Sequence, residues 1–118
     1  MLKNSGRIAG SSLDISFSFV NSDGTPNSVE MTANETAAIL EVITLSYDST
    51  NLLTSVSDGN INGYKDIEDV ANTDLSGQSG LTASATKNFS IEVTTDNGTS
   101  HDFENDGITV TMNFTLNQ

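Results

Sequence analysis

The chain has 118 residues and a formal net charge of -12, from 16 acidic and 4 basic residues, with no cysteine and no tryptophan. That length suits one domain with a modest core, and the lack of thiols excludes disulfides and thiolate metal sites. The acid excess repels phosphate backbones and anionic lipid, so neither direct nucleic-acid recognition nor membrane binding is expected; no apolar run approaches the roughly 20 residues that a bilayer span needs.

The chain opens MLKNSGRIAG, which carries Lys3 and Arg7; the other two cations, Lys65 and Lys87, sit among all the acids of the body. Residues 1–10 are read as an extended N-terminal arm and residues 11–118 as a single β-rich domain. A positive arm on a negative body has an electrostatic partner in the body of a neighbouring copy, so Lys3 and Arg7 are the candidate inter-subunit residues. No hydrophobic stretch follows these basic residues, so a secretory signal is not expected and synthesis in the cytoplasm is.

Leu13, Ile15, Phe17 and Phe19 alternate with Asp14, Ser16 and Ser18. A period of two with one apolar face predicts a half-buried strand, ended by the turn residues of NSDGTPN. Residues 31–47, MTANETAAILEVITLSY, combine Thr32 and Glu35 at capping-box spacing with Ala37-Ala38 and place Leu40, Ile43 and Tyr47 on one helical face. This favours a helix from about 33 to 47, against a strand in which Ile39, Glu41, Ile43 and Leu45 alternate.

Asp58 to Asp69 reads DGNINGYKDIED. Calcium takes six to eight oxygen ligands, and a twelve-residue calcium loop supplies them from positions 1, 3, 5, 7, 9 and 12, with glycine at 6. Counting from Asp58 places Asp58, Asn60, Asn62, the Tyr64 carbonyl, Asp66 and Asp69 at those positions, and Gly63 at the sixth. The pattern resembles the loop of dockerin modules, which also close on Asp and follow it with an aliphatic residue, here Val70. It departs from them by occurring once, by placing Lys65 at the eighth position, and by having no helix-forming sequence before it. The same residues also make a capped turn: Asp58-Gly59 and Asn62-Gly63 are turn dipeptides. Asp66 then caps a helix whose first turn holds Glu68 and Asp69, with Ile67, Val70, Ala71 and Leu75 as its buried stripe. The capped turn is the expectation, and a bound calcium ion the alternative.

From Leu81 the odd positions run Leu81, Ala83, Ala85, Lys87, Phe89, Ile91 and Val93, an apolar face that Lys87 interrupts; a bulge or a sheet-edge position is expected there. Turns at 96–98 and 105–107 bracket a short strand near His101 and Phe103. The last strand turns Ile108, Val110, Met112, Phe114 and Leu116 inward and Thr109, Thr111, Asn113 and Thr115 outward. The C-terminal third thus reads as an antiparallel meander with one wet face.

His101 is the sole imidazole that the many hydroxyls could share as a base; a lone histidine in a short strand reads as a surface residue, and no enzyme is expected. Four Asn-x-Ser/Thr sequons, at Asn34, Asn88, Asn97 and Asn113, match the abundance of those residues.

The expected fold is mainly β, a small antiparallel sandwich or open barrel with one flanking helix at about 33–47. The function these features suggest is a non-enzymatic assembly subunit that partners itself or other virion proteins, such as a bacteriophage capsid cement or tail-tube protein located in the virion. The competing expectation is an extracellular adhesion or calcium-dependent binding module.

Overall fold

The structure is a computed structural model that describes residues 1–22, 36–95 and 106–118. It is mainly β, as the alternating runs require. Eight strands and two short helices follow in chain order among the described residues: β1 (Leu2–Lys3), β2 (Ser12–Ser22), α1 (Thr36–Ile39), β3 (Leu40–Tyr47), β4 (Thr50–Asn51), α2 (Ile67–Ala71), β5 (Leu75–Ser79), β6 (Thr86–Lys87), β7 (Phe89–Thr95) and β8 (Gly107–Asn117). One 3-10 turn, Leu53–Ser55, precedes the Asp/Asn loop.

Two three-stranded antiparallel sheets face each other. One has the order β5-β2-β8 and the other β4-β3-β7; β1 and β6 form a separate two-stranded pair. Leu13, Ile15 and Phe17 of β2 pack against Val42, Leu45 and Tyr47 of β3, closed at one end by Ile67 and Val70 of α2 and by Leu75 and Leu81. Phe89 bridges the layers, its ring 6.3 Å from that of Phe17 and 5.0 Å, edge to face, from that of Phe114. Aromatic pairs at such distances add a little to their burial.

β2 and β8 pair without a break from Ser12↔Asn117 to Ser22↔Gly107, whereas β5 covers only the Ser12–Ile15 end of this ribbon. The Cα radius of gyration is accordingly 16.7 Å, with extents of 56 × 26 × 19 Å, against about 13.5 Å for a compact domain of this length. Where β5 meets β2 the register slips between Leu13 and Ile15. Gly77 takes up the irregularity at φ +71°, and its N–H donates to Asp14 Oδ1 at 2.8 Å.

The helix expected over 33–47 is a correction. Residues 33–35 lie outside the described residues, Thr36–Ile39 is one helical turn, and Leu40–Tyr47 is strand β3. β3 pairs with β7, and the register shifts between Val42 and Thr44. Ile43 is the extra residue of that bulge and stands half exposed, while Val42, Leu45 and Tyr47 point inward. A bulge flips the parity of all that follows, so the inward positions fall three and then two apart. The helical face read from the sequence, Leu40, Ile43 and Tyr47, is therefore not the buried one, since Ile43 is 50 % exposed.

The meander is also corrected: β7 pairs with β3 and β8 with β2, so the two strands belong to different sheets. The turns at 23–27 and 96–98, the capping pair Thr32 and Glu35, the sequons at Asn34 and Asn97, and the strand near His101 lie outside the described residues.

Candidate functional site

The Asp/Asn loop folds as a closed cage of hydrogen bonds. Asp58 accepts from the Asn62 N–H (Oδ1, 3.1 Å) and the Gly63 N–H (Oδ2, 2.9 Å), wrapping the tight turn at which Gly63 adopts φ +98°. Asn60 and Asn62 each point an amide NH2 at Asp66 Oδ2, at 2.8 and 2.9 Å. Asp66 Oδ1 accepts from the Asp69 N–H, and Asp69 Oδ2 accepts from the Asp66 N–H, which completes a capping box over α2. Asp69 Oδ1 reaches back to the Gly59 N–H at 2.8 Å. Asp66 and Asp69 are buried, as are Ile67, Val70 and Leu75 of the expected apolar stripe, with Ala71 half-buried beside them.

Further contacts, with no signal in the sequence, fix the loop to the rest of the fold. The Val42 N–H donates to the Lys65 carbonyl at 2.7 Å, and Glu41 and Asp66 form an antiparallel bridge. The Tyr64 hydroxyl and the Asn62 amide both donate to the Ala38 carbonyl, at 3.0 Å each. Lys65 sends its ammonium to the Leu53 carbonyl at 2.6 Å, which is how a cation is tolerated at the eighth loop position.

As an oxygen site for calcium the loop fits in composition and only partly in orientation. Asp58, Asn60, Asn62, Asp66 and Asp69 are brought together, but the two amides aim N–H groups at Asp66, and a cation there requires both to rotate their oxygens inward. Among the described residues no three His, Cys, Asp or Glu side chains are grouped as metal ligands.

The N-terminal segment lies against its own body. Leu2 and Lys3 pair with Lys87 and Thr86. Asn4 is buried and anchors the segment: its N–H donates to the Ala85 carbonyl at 3.0 Å, its amide donates to the carbonyls of Ile8 (2.8 Å) and Leu81 (3.1 Å), and its Oδ1 accepts from the Gly6 N–H. The Gly10 N–H donates to the Leu81 carbonyl at 2.8 Å, and a Cβ on Gly80 would overlap the Gly10 carbonyl. Glycine there is a requirement of close approach. Leu2, Lys3 and Asn4 border a small apolar groove floored by Leu13, Leu81, Phe114 and Leu116. Sequence reasoning missed Asn4, since a lone asparagine in a polar stretch carries no periodic signal.

Lys3 and Arg7 are both exposed. The ion pair among the described residues is Lys87 with Asp48, at 2.8 Å. Lys87 also donates to Ser79 Oγ at 2.7 Å and lies 5.4 Å from the centre of the Tyr47 ring. It interrupts the apolar face where β6 ends and β7 begins. Burial pushes the Tyr47 phenol above its ordinary pKa, with Lys87 acting in the opposite sense. The Tyr47 hydroxyl donates to the Ser79 carbonyl at 2.9 Å, tying the two sheets together.

The sandwich is least covered along β7 and β8. Ile91 and Phe89 of β7 and Ile108, Val110, Phe114 and Leu116 of β8 pack on the core but are only half-buried, while Val93 and Met112 remain 45 % and 42 % exposed. Along β2 and β3, Leu13, Ile15, Phe17, Val42, Leu45 and Tyr47 are closed off, whereas Phe19 and Leu40 are half-buried. No family model, no curated protein and no solved structure matches this chain.

Proposed function

We propose that the chain is a non-enzymatic assembly subunit in which the cationic N-terminal segment joins acidic neighbours, in a repeated structure such as a bacteriophage capsid or tail. The observation that carries this reading is that Lys3 and Arg7 stand exposed, with no ion pair to their own chain among the described residues, on a molecule of net charge -12. Cations left unpaired by an acidic body are free to engage the body of another copy. The seat of the segment supports the same reading. The two residue pairs of the β1–β6 ladder, the Asn4 side chain and the Gly10–Gly80 approach hold it, and an identical seat on a second copy offers the same bonds.

The test is charge reversal. A Lys3→Glu, Arg7→Glu variant should show a smaller assembled mass by light scattering and should lose the wild-type sensitivity of that mass to salt. Unchanged mass and unchanged salt dependence would contradict the proposal.

A second reading, the extracellular adhesion or calcium-dependent module, is favoured by the loop. Asp58, Asp66 and Asp69 are held there with hydrogen-bond donors that are all neutral. A melt with calcium against a melt with chelator separates the two readings. The assembly reading expects superimposable curves, and a monomer whose melting point rises with calcium shifts the function to the module.

A further inference from the structure

The outer edge of β8 is an open edge of the sandwich among the described residues. It spans Gly107–Asn117, pairs with β2 on one side and has no strand on the other among the described residues. Edge strands are templates for another chain, and proteins ordinarily protect them with charges, proline, bulges or brevity. β8 has none of these: its eleven residues, GITVTMNFTLN, include no charge and no proline, and its register is unbroken. The other edges are protected. β7 carries Glu92, whose Oε2 accepts from Thr44; β5 is distorted at Gly77; and β4 is two residues long.

We propose that β8 is a self-pairing edge: two copies join antiparallel through it about a two-fold axis at Met112. Two three-stranded sheets then become one continuous sheet, β5-β2-β8 running into β8-β2-β5. The occupant is a second copy because the strand is complementary to its own reverse. Around Met112, Thr111 meets Asn113, Val110 meets Phe114, Thr109 meets Thr115, and Ile108 meets Leu116; in these four pairs polar opposes polar on the outer face and apolar opposes apolar on the inner face, and at the ends Gly107 meets Asn117. Charge argues the same way. In a chain of net charge -12 this edge brings two copies together without placing a carboxylate in the ladder. Pairing also covers Met112, which is 42 % exposed although it lies on the inner face. This inference rests on the assembly reading and adds to it an isologous contact, distinct from the arm contact.

The chain has no cysteine, so single-cysteine variants report the contact directly. A residue on the axis faces its own copy with Cα atoms about 4.5–5.5 Å apart, within disulfide reach. Residue 109 lies about 20 Å along the ladder from its copy. Under mild oxidation Met112→Cys should cross-link to a dimer nearly completely, Thr109→Cys should not, and a mixture of Thr109→Cys with Thr115→Cys should. Three results would overturn the proposal. In the first, wild type assembles but Met112→Cys, with an unchanged melting point, stays uncross-linked. In the second, all three variants cross-link equally. In the third, Met112→Cys cross-links instead to Lys3→Cys, which would place a neighbour's N-terminal segment on this edge. Monomeric wild type would remove the assembly reading itself, so the two failures are told apart.

Discussion

The loop at 58–71 and the strand at 107–117 solve opposite problems. Both carry Asn and Gly among apolar residues, but the loop adds four carboxylates and a lysine, whereas the strand adds three threonines and no charge. In the loop the carboxylates of Asp58, Asp66 and Asp69 and both amides are turned onto neighbouring donors and acceptors. On β8 one edge of the backbone and part of the apolar face are left without a partner among the described residues. The difference teaches where to look for function. A region that satisfies itself stabilises the fold, and a region that leaves hydrogen-bonding groups unmatched is suited to a second molecule.

This contrast can be broken from the loop side, where the largest loss of stability is expected. Asp66→Ala removes the cap of α2 and strands the amides of Asn60 and Asn62. A loss of about 2–4 kcal/mol is expected, read as a fall in denaturant midpoint, whereas Met112→Ser on β8 should cost under about 1 kcal/mol. Comparable losses at the two sites would erase the distinction.

A smaller loss, about 1–3 kcal/mol, is expected from Gly80→Ala, because the added Cβ displaces the Gly10 carbonyl and with it the N-terminal segment. Amide exchange should show Asn4 losing protection while the β2–β8 pairs keep theirs. Loss of protection throughout would mean that the segment is integral to the core rather than seated on it.

Tyr47→Phe comes next. It leaves the buried ring in place and removes the single bond to the Ser79 carbonyl. About 1 kcal/mol should be lost, with no change in assembled mass.

The smallest effect belongs to Asp14. Hydrogen bonds from the Gly77 N–H, first, and from the Asn117 amide, both at 2.8 Å, hold its pKa below the ordinary 3.8. A carboxylate depressed in the folded state stabilises above its unfolded pKa, and the contribution is lost as pH falls through the folded one. Asp14→Asn should therefore flatten the stability profile only below about pH 4. A change confined to neutral pH would contradict the assignment.

Much of this architecture is legible in the residues, and the failures have definite causes. The period-two runs at 13–19 and 108–116 locate β2 and β8 because each strand keeps its parity. The cap at Asp66 is visible because Asp, Glu and Asp stand at the right spacing before an apolar stripe. β3 is legible only as the rival strand, because the capping pair Thr32 and Glu35 and the two alanines favour a helix, and the bulge at Ile43 turns Val42 inward, a position that neither pattern marks as buried. Nor does alternation name a partner: that β8 joins β2 across the whole chain, rather than β7 nearby, is decided by packing. For the loop, the residues foretell the tight turn at Gly63 and the cap at Asp66, but they are silent on Val42 docking to Lys65. For the arm it finds the two cations and misses Asn4, which holds the segment to its seat.

The central claim is that this molecule meets others like it through unpaired charge and an open edge. Light scattering on the intact chain, from low to high protein concentration and at two salt strengths, tests it most directly. A mass that grows with concentration and shrinks when salt is raised is the result expected. A mass fixed at 12.5 kDa under every condition would contradict it.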